Sequence, residues 1–475
     1  MKLIAVLLGI VFVALAGRAA EASDAAPKLE DLEQAKSLEK DGITWTFEAP
    51  VRAGRFVNGD WYVVGPATVV KIDPAPTDER NNSVLNLPLD EYSRGASPFD
   101  SRVEQGRGEK GKKLRAKLPL ALKPGDNLIS SIGVEIHSLP SPLRPGDKNG
   151  SPVGSLSILT CLKEPAPADA FRPSYGDREQ KLYFARDLRK ALLPGLPREG
   201  IELKYDHGAS FTIDDFAERY RRPWLDVCFF HFDAPAQYQV QYGREAGRSA
   251  GMAALLLCLD YTAEEKEKLL VNFVQYGIDL WGLARAGFPG WPAHGGHGTG
   301  RKLPIVFAGL LLGDDEMASP SVTYPKLKFG EDMQTMYDTG WTGAKAVYAG
   351  HVGAEGVPGK ADWGKYEHLQ PKDWPGRLGE SYRRCCTSLA WVGQALALRI
   401  LHAEKAWAHD AFFDYEDRWM SEDDSEHVKI IKETAGLDFT ADWARQRQAW
   451  DPFVQQMWAK YRHNLPAAPD KSANK

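Results

Sequence analysis

Apolar and polar residues alternate along the part of the chain that follows residue 40. The segment ITWTFEAPV (43–51) alternates in this way, and RFVNGDWYVVGPATVVKIDP (55–74) holds two apolar runs broken at Gly65-Pro66. KLPLALKPGDNLISSIGVEI (117–136) and GSLSILTCLKE (154–164) continue the pattern. Short strands separated by Gly, Pro and Asn turns are typical of antiparallel structure. We therefore predict a β-sandwich over 40–165, preceded by a charged linker at 23–39.

Apolar residues recur at three- and four-residue spacing after the Pro-rich segment 166–178, which we interpret as a linker. REQKLYFARDLRKALL (178–193) has this spacing, Thr212 is a candidate N-cap, and Thr262 with Glu265 forms a capping-box pattern that opens a helix through Leu283. Further helices are predicted at 301–312, 380–407, 409–420, 424–434 and 439–462. Amphipathic helices in series suggest stacked hairpins, so we predict an (α/α) toroid-like domain over 179–464 and a disordered tail at 465–475.

The first 22 residues have the pattern of a signal peptide. Lys2 precedes an apolar run from Leu3 to Ala16, and small residues follow as far as Ala22. The run is short for a bilayer span, although an uncleaved anchor is the alternative. We expect a secreted or periplasmic protein with no transmembrane span after removal of the signal.

Charge and cysteine content restrict the partners. The net charge is −5 and no long basic run occurs, so we expect no nucleic acid, and an anionic partner would need a local group of Arg and Lys. The five cysteines are too few for a disulfide scaffold, and we expect most of them to be buried. A bond between the adjacent Cys385 and Cys386 would be strained, and a Cys228–Cys258 bridge remains open.

The loop FPGWPAHGGHGTGRK (288–302) is the most informative segment. Its glycines allow close approach of the backbone, His294 and His297 flank them, and Arg301 and Lys302 open a helix whose N-terminus favours anions. A phosphate loop would need Lys and Ser or Thr where Arg301 and Lys302 stand. A zinc site using the two histidines with His351 is a second alternative, and a sugar-acid subsite is the third. Each histidine would equally suit a simple backbone-bonded loop.

Two further segments carry chemically useful residues. GESYRRCCTSLAWVGQALALRIL (379–401) places Tyr382, Arg383 and Arg384 in the first turn of a helix, where cations oppose the macrodipole. An anionic ligand, or an acid such as Glu380, would account for them. EDMQTMYDTGWTGAKAVYAGHVG (331–353) adds the candidate sugar-contacting residues Gln334, Trp341, Tyr348 and His351.

These residue types fit β-elimination of a uronate polymer. The reaction needs a group that neutralises the carboxylate, a base for the C5 proton and an acid for the leaving O4. Arg, His and Gln serve the first role, whereas Tyr and His serve the others. Glycoside hydrolysis would need two carboxyl groups across a cleft. The candidate acids have no distinctive context: Asp226, Asp233, Asp314, Asp315, Asp332 and Glu380.

The segments AHGGHGTGRK, YAGH and SYRRCC resemble in residue type those of the α/α-toroid polysaccharide lyases, the alginate- and glucuronan-lyase-like group. The resemblance covers about 180–460 and implies helical hairpins around an open cleft that holds a His-bearing loop, a Tyr and an Arg. The asparagine that binds the carboxylate in many such lyases has no match near these segments, which leaves Gln334 or a histidine as a stand-in. The sheet domain also precedes the helices here, whereas it follows them in several such lyases.

The sequence thus predicts an exported polysaccharide lyase that acts on an acidic polysaccharide or oligosaccharide. Tyr382 is the expected acid, and a candidate base, with His297 or His351 assisting. The expected substrate-binding residues are His294, Arg301, Lys302, Arg383, Arg384, Trp341, Tyr348 and Gln334. We expect no cofactor, with a divalent metal as the alternative. The rival functions are a glycoside hydrolase of toroid fold and a non-catalytic carbohydrate-binding envelope protein.

Overall fold

The computed structural model describes residues 25–77, 81–89, 114–135, 140–141, 143–148, 153–225, 242–350, 366–374, 378–440 and 445–468. The predicted signal peptide and most of the predicted tail lie outside these residues, as does His351. Within them, an N-terminal region consists mostly of a curled sheet, and a helical region follows it.

The sheet has eight strands. They are β1 (Glu33–Lys40), β2 (Ile43–Arg55), β3 (Trp61–Val64), β4 (Ala67–Asp73), β5 (Asn82–Leu85), β6 (Leu120–Leu122), β7 (Asn127–Gly133) and β10 (Val153–Leu162), with a separate hairpin of β8 (Pro140–Ser141) and β9 (Arg144–Lys148). The strand order is β5-β7-β10-β3-β2-β4-β6, and β1 pairs with β2. All pairs in this sheet are antiparallel except β10 with β3, which is parallel.

Alternate side chains along the strands pack into two different hydrophobic cores. Leu128 and Leu159 join Trp45 and Phe47 in a core of the sheet region itself. Their neighbours Ile129 and Ile158 belong to the large core of the helical region. Because side chains alternate between the faces of a strand, one face of the sheet packs against the helices. The two regions therefore share a continuous apolar interface.

The two segments predicted as linkers are both structured. Strand β1 lies within the last part of 23–39 and pairs along β2. Most of segment 166–178 is buried, with Phe171 and Arg172 at 0% and 1% exposure. This segment connects the sheet region to the helical region and lies in the interface between them.

The helical region contains thirteen α-helices among the described residues. They are α1 (Ile213–Arg221), α2 (Gly243–Cys258), α3 (Ala263–Arg285), α4 (Lys302–Leu312), α5 (Asp315–Ala318), α6 (Pro320–Thr323), α7 (Gly330–Gln334), α8 (Leu378–Tyr382), α9 (Ser388–Ile400), α10 (Glu404–Trp407), α11 (Asp410–Ser421), α12 (Ser425–Ala435) and α13 (Pro452–Tyr461). A π-helical segment, Arg383–Thr387, joins α8 to α9. Short strands β11 (Gly290–Trp291) and β12 (Lys328–Phe329) pair with each other, as do β13 (Thr335–Tyr337) and β14 (Ala346–Tyr348).

Helix starts confirm the capping predictions. Thr212 and Asp215 form a capping box at α1, and Thr262 with Glu265 forms another at α3. Helix α2 packs along α9, while α3 packs against α1 and α4. Arg244, the second residue of α2, donates Nη1 to Cys385 O at 3.1 Å, so the N-terminal end of α2 lies against the π-helical segment. Within the described residues, no helix combines the length and apolar character needed to cross a bilayer.

One predicted helix is wrong, and another starts later than predicted. Segment 178–193 forms only the 3-10 turns Ala185–Asp187 and Lys190–Leu192. Its backbone N–H groups bond distant carbonyls instead, for example Arg189 N to Leu311 O at 2.7 Å. The last predicted helix (439–462) begins only at Pro452. Before that residue the backbone bonds neighbouring helices, as Trp450 N does with Leu389 O at 3.0 Å.

Candidate functional site

The glycine-rich histidine loop and the Tyr-Arg-Arg segment meet in space. A Cβ atom on Gly296 would lie 2.6 Å from the carbonyl oxygen of Cys386 in the π-helical segment. A Cβ on Gly243, the first residue of α2, would collide with the carbonyl oxygens of Gly296 and His297. The loop is therefore held between two helix starts, and only glycine allows this approach.

Buried groups fix the loop from behind. The carboxylate of Glu331 accepts the N–H of Gly300 at 2.7 Å, and Trp391 donates its indole N–H to Thr299 Oγ1 at 3.2 Å. Arg301 donates to the carbonyl oxygens of His297 and Thr299 at 2.8 and 2.6 Å. The loop is thus a rigid support for the histidines that it carries.

Three partly buried side chains from distant parts of the chain converge at this junction: Tyr242, His297 and Tyr382. The rings of Tyr242 and His297 are 4.7 Å apart and nearly perpendicular. Burial raises the pKa of Tyr242, and the neighbouring Tyr382 phenol raises it further. Phenol and imidazole groups are among those that can donate and accept protons in a catalytic site.

The backbone geometry after Tyr382 is unusual. Tyr382 ends α8, and the next five residues, Arg383–Thr387, form the π-helix. The hydroxyl of Thr387 donates to the carbonyl oxygens of Tyr382 and Arg383 at 2.9 and 3.2 Å. Short π-helical segments occur frequently at functional sites.

Arg383 and Arg384 are buried against acids of the protein. Arg384 bonds Glu380 at 2.5 Å and Asp424 at 2.6 Å, and it is 1% exposed. Arg383 lies 3.3 Å from Glu367 and donates to the Tyr415 hydroxyl at 2.9 Å. The anions that compensate these cations come from the chain, so this geometry does not favour a role for either arginine in holding a substrate carboxylate.

The cations of the histidine loop are also internal. Arg301 and Lys302 are 2% and 0% exposed. Lys302 bonds Asp332 at 2.5 Å, and its Nζ lies 4.3 Å from the centre of the Trp407 ring. Burial lowers the pKa of Lys302, while Asp332 opposes that change. Both residues support the fold beneath the loop, in contrast to the expected contact with an anion.

The remaining predicted site residues have different environments. Gln334 and Tyr348 are buried and bond each other, Nε2 to the hydroxyl oxygen, at 2.7 Å. Trp341 is partly buried and packs edge-on against His427, with ring centres 5.3 Å apart. His294 is partly buried and has a positive φ of 37° within the loop. His351 lies outside the described residues.

Tyr242 and Arg244 are site residues that the sequence analysis missed. The guanidinium carbon of Arg244 lies 5.4 Å from the Tyr242 ring centre, and its Nη1 donates to Cys385 O at 3.1 Å. Arg244 also pairs with Glu245. The signal in the sequence is YGREAGRSAG, a polar start to an apolar helix with small residues at near-helical spacing that permit close packing.

The candidate acids for hydrolysis do not form a catalytic pair in the described part of the chain. Asp314 caps α5 and bonds Lys181, and Asp332 bonds Lys302. Glu380 lies between the two buried arginines. Asp315 is exposed, whereas Asp226 and Asp233 fall outside the described residues.

The sulfur and metal chemistry is limited in the same described part. Cys385 and Cys386 form a disulfide within the π-helical segment, although their adjacency led us to expect strain. Cys161 and Cys258 are free and buried, so Cys258 does not bridge to Cys228, which lies outside the described residues. No group of three or more His, Cys, Asp and Glu side chains suitable for a metal ion is found among the residues described.

Comparison with known proteins gives no relative. No protein family, no characterised protein and no solved structure shows a significant match to the chain.

Proposed function

We propose that this protein is an exported polysaccharide lyase that cleaves an acidic, uronate-containing polysaccharide by β-elimination. The observation that carries the proposal is the convergence of Tyr242, His297 and Tyr382 at one partly buried junction. For the fold, we propose a toroid-like arrangement of the helices and a β-sandwich for the curled sheet. Packed helix pairs such as α3 with α4 support the toroid-like arrangement.

In the proposed reaction, His297 accepts the phenol proton of Tyr382, and the resulting phenolate takes the C5 proton of the uronate. The C5 electrons form the C4=C5 double bond as the C4–O4 bond breaks. Tyr382 then gives the C5 proton to O4 and regains its own proton from His297. Tyr242 holds the imidazole by its edge-on contact. Each proton transfer uses a positioned side chain, which is the source of the rate acceleration.

Arg244 replaces Arg383 and Arg384 as the proposed partner of the substrate carboxylate. It pairs with one acid, Glu245, whereas each of the other two arginines pairs with two acids, and it is the most exposed of the three side chains, at 11%. Its guanidinium contacts the Tyr242 ring and the backbone of the π-helical segment, so it lies beside the proton-transfer groups. Positive charge there would stabilise the additional negative charge that develops on the carboxylate in the transition state.

The test is incubation with alginate, glucuronan and pectate. Elimination creates an unsaturated uronate that absorbs in the ultraviolet. New reducing ends without that absorbance would instead indicate the glycoside hydrolase, and retention on a polysaccharide gel with neither signal would indicate the non-catalytic binder.

Tyr382→Phe should lower turnover roughly 10²-fold or more, because the proton donor and acceptor is lost. Tyr337→Phe is the matched control, since Tyr337 is 57% exposed and its hydroxyl bonds Asp414. Circular dichroism should show that both variants fold. Full turnover by Tyr382→Phe would remove Tyr382 from the mechanism.

A further inference from the structure

Trp450 presents a partly buried aromatic ring beside the candidate site. Its backbone N–H donates to Leu389 O at 3.0 Å, and its indole N–H donates to the carboxylate of Asp206 at 2.8 Å. The ring is therefore fixed at both its backbone and its polar edge. A fixed aromatic ring costs little conformational entropy when a ligand stacks on it.

Arg244 connects this tryptophan to the proton-transfer groups. Its guanidinium carbon lies 4.5 Å from the Trp450 ring centre and 5.4 Å from the Tyr242 ring centre. Trp450 is thus separated from Tyr242 by a single side chain. The guanidinium carbon of Arg248 is also close to the Trp450 ring centre, at 5.0 Å.

The groups around Trp450 do not supply the excess positive charge that a second, anionic uronate would need. Arg248 bonds Asp451 at 2.6 Å, Glu245 at 2.7 Å and Asp206 at 3.1 Å. Arg244 is the other guanidinium group here, and the proposed function assigns it to the carboxylate of the first uronate. Two guanidinium groups thus face three carboxyl groups, and no positive charge remains for a second uronate. Asp206 is 31% exposed, and a carboxylate of this kind accepts hydrogen bonds from sugar hydroxyl groups.

We propose that Trp450 and Asp206 form a subsite for a neutral sugar residue that adjoins the uronate held at Tyr382. The apolar C–H face of the sugar stacks on the indole, and its hydroxyl groups donate to Asp206. The substrate is then a heteropolysaccharide in which uronate and neutral residues are neighbours. This inference rests on the proposed function for the position of the uronate.

The test measures binding to the full chain carrying Tyr382→Phe, so that no probe is consumed. Calorimetry compares two disaccharides, glucuronic acid linked to glucose and glucuronic acid linked to a second glucuronic acid. We expect the mixed disaccharide to bind roughly tenfold more tightly, which corresponds to about 1.4 kcal/mol. Adding Trp450→Ala should abolish this preference, and Trp450→Phe should retain part of it.

Tyr261→Ala is the matched control, because Tyr261 is a partly buried ring that lies 4.2 Å from the guanidinium of Arg198. It should leave the preference unchanged. Elimination by the natural chain together with equal binding of both disaccharides would overturn the subsite and leave the lyase intact. A Trp450-dependent preference without elimination would support the subsite and reject the lyase. Binding of neither disaccharide would overturn the subsite.

Discussion

Glu416 is a carboxyl group enclosed in the helical region. It lies on α11 at 0% exposure, and neither carboxyl oxygen has a hydrogen-bond partner among the described residues. Burial raises its pKa well above the ordinary range, and the charge of Asp417 adds to this, while Arg383 and Arg418 oppose it. An ionised carboxylate in such a place is costly, so the proton is retained to higher pH in the folded protein than in the unfolded chain.

Glu416→Gln should therefore stabilise the protein at alkaline pH. The folded pKa of Glu416 is raised, so its contribution to stability is present at low pH and is lost as pH rises through that pKa. Glutamine cannot ionise, so the variant should gain about 1 kcal/mol or more over the natural chain as pH increases. Urea denaturation across a pH series measures the difference.

The control for this experiment is Glu426→Gln on α12. That side chain is 77% exposed and pairs with Lys429, and surface changes of this kind usually alter stability by no more than about 0.5 kcal/mol. A constant difference between Glu416→Gln and the natural chain over the whole pH series would contradict the interpretation of Glu416.

At the scale of elements, the junction of α2, the histidine loop and the π-helical segment organises the candidate site. The apolar patterns predicted helices such as α3 and α4, and the glycines of the loop predicted close approach. Helix α2 was not predicted, and no pattern indicated which elements approach each other. Gly243 lies against Gly296 and His297 across more than fifty residues of sequence. Such pairings depend on tertiary packing. The types of residue in the site could therefore be predicted from the sequence, whereas the particular residues that come together could not.

The dependence on tertiary packing also explains why the roles of the buried cations were not predicted. Arg383 and Arg384 were expected to face a ligand because cations oppose the macrodipole at a helix start, with Glu380 as the alternative partner. Glu380 does pair with both arginines. The other acidic partners of these arginines and of Lys302 are more distant in sequence: Glu367, Asp424 and Asp332. Helix boundaries marked by local caps, as at Thr212 and Thr262, were predicted well because the stabilising contact is only three residues away.

Gly243→Ala should disrupt the junction despite favouring the helix. Alanine gains roughly 1 kcal/mol over glycine inside a helix. Here its Cβ would collide with the carbonyl oxygens of Gly296 and His297, and overpacking of this kind costs about 1–3 kcal/mol. We expect a lower melting temperature and, if the chain is a lyase, lower turnover through displacement of His297.

Gly393→Ala on α9 is the matched comparison. There the nearest atom to a new Cβ is Val454 Cγ2 at 3.4 Å, which is an ordinary contact. This variant should be as stable as the natural chain or more stable. Equal stabilisation by both alanines in thermal denaturation would show that the loop does not press on α2.

At the scale of the whole molecule, one buried ionic network joins the sheet region to the helical region. Arg172 donates Nε to Asp60 at 2.6 Å and Nη2 to Asp279 at 2.5 Å. Lys40 of β1 pairs with Asp60 from the other side. Because Asp60 precedes β3 and Asp279 lies on α3, the network links two regions that already share an apolar interface.

The two carboxyl groups of this network have opposite pKa shifts. Burial raises the pKa of Asp279 to about 6, Arg172 opposes the rise, and the charge of Asp60 adds to it. Burial acts on Asp60 in the same direction, but Lys40 and Arg172 together lower its pKa. In the unfolded chain the pKa of an aspartate is about 3.9. The two groups therefore affect stability in different pH windows.

Asp279→Asn should reveal the pH range over which the raised pKa of Asp279 affects stability. Between about pH 4 and pH 6 the folded protein binds a proton at Asp279 that the unfolded chain releases, so this contribution to stability falls as pH rises. Asparagine removes the titration, and the free energy of unfolding of the variant minus that of the natural chain should increase across this window.

Asp60→Asn should instead change the difference only below about pH 4, because a lowered pKa makes its contribution disappear as pH falls. The free energies are measured by tryptophan fluorescence during urea unfolding. Identical pH profiles for the two variants would contradict the opposite pKa shifts of the two carboxyl groups.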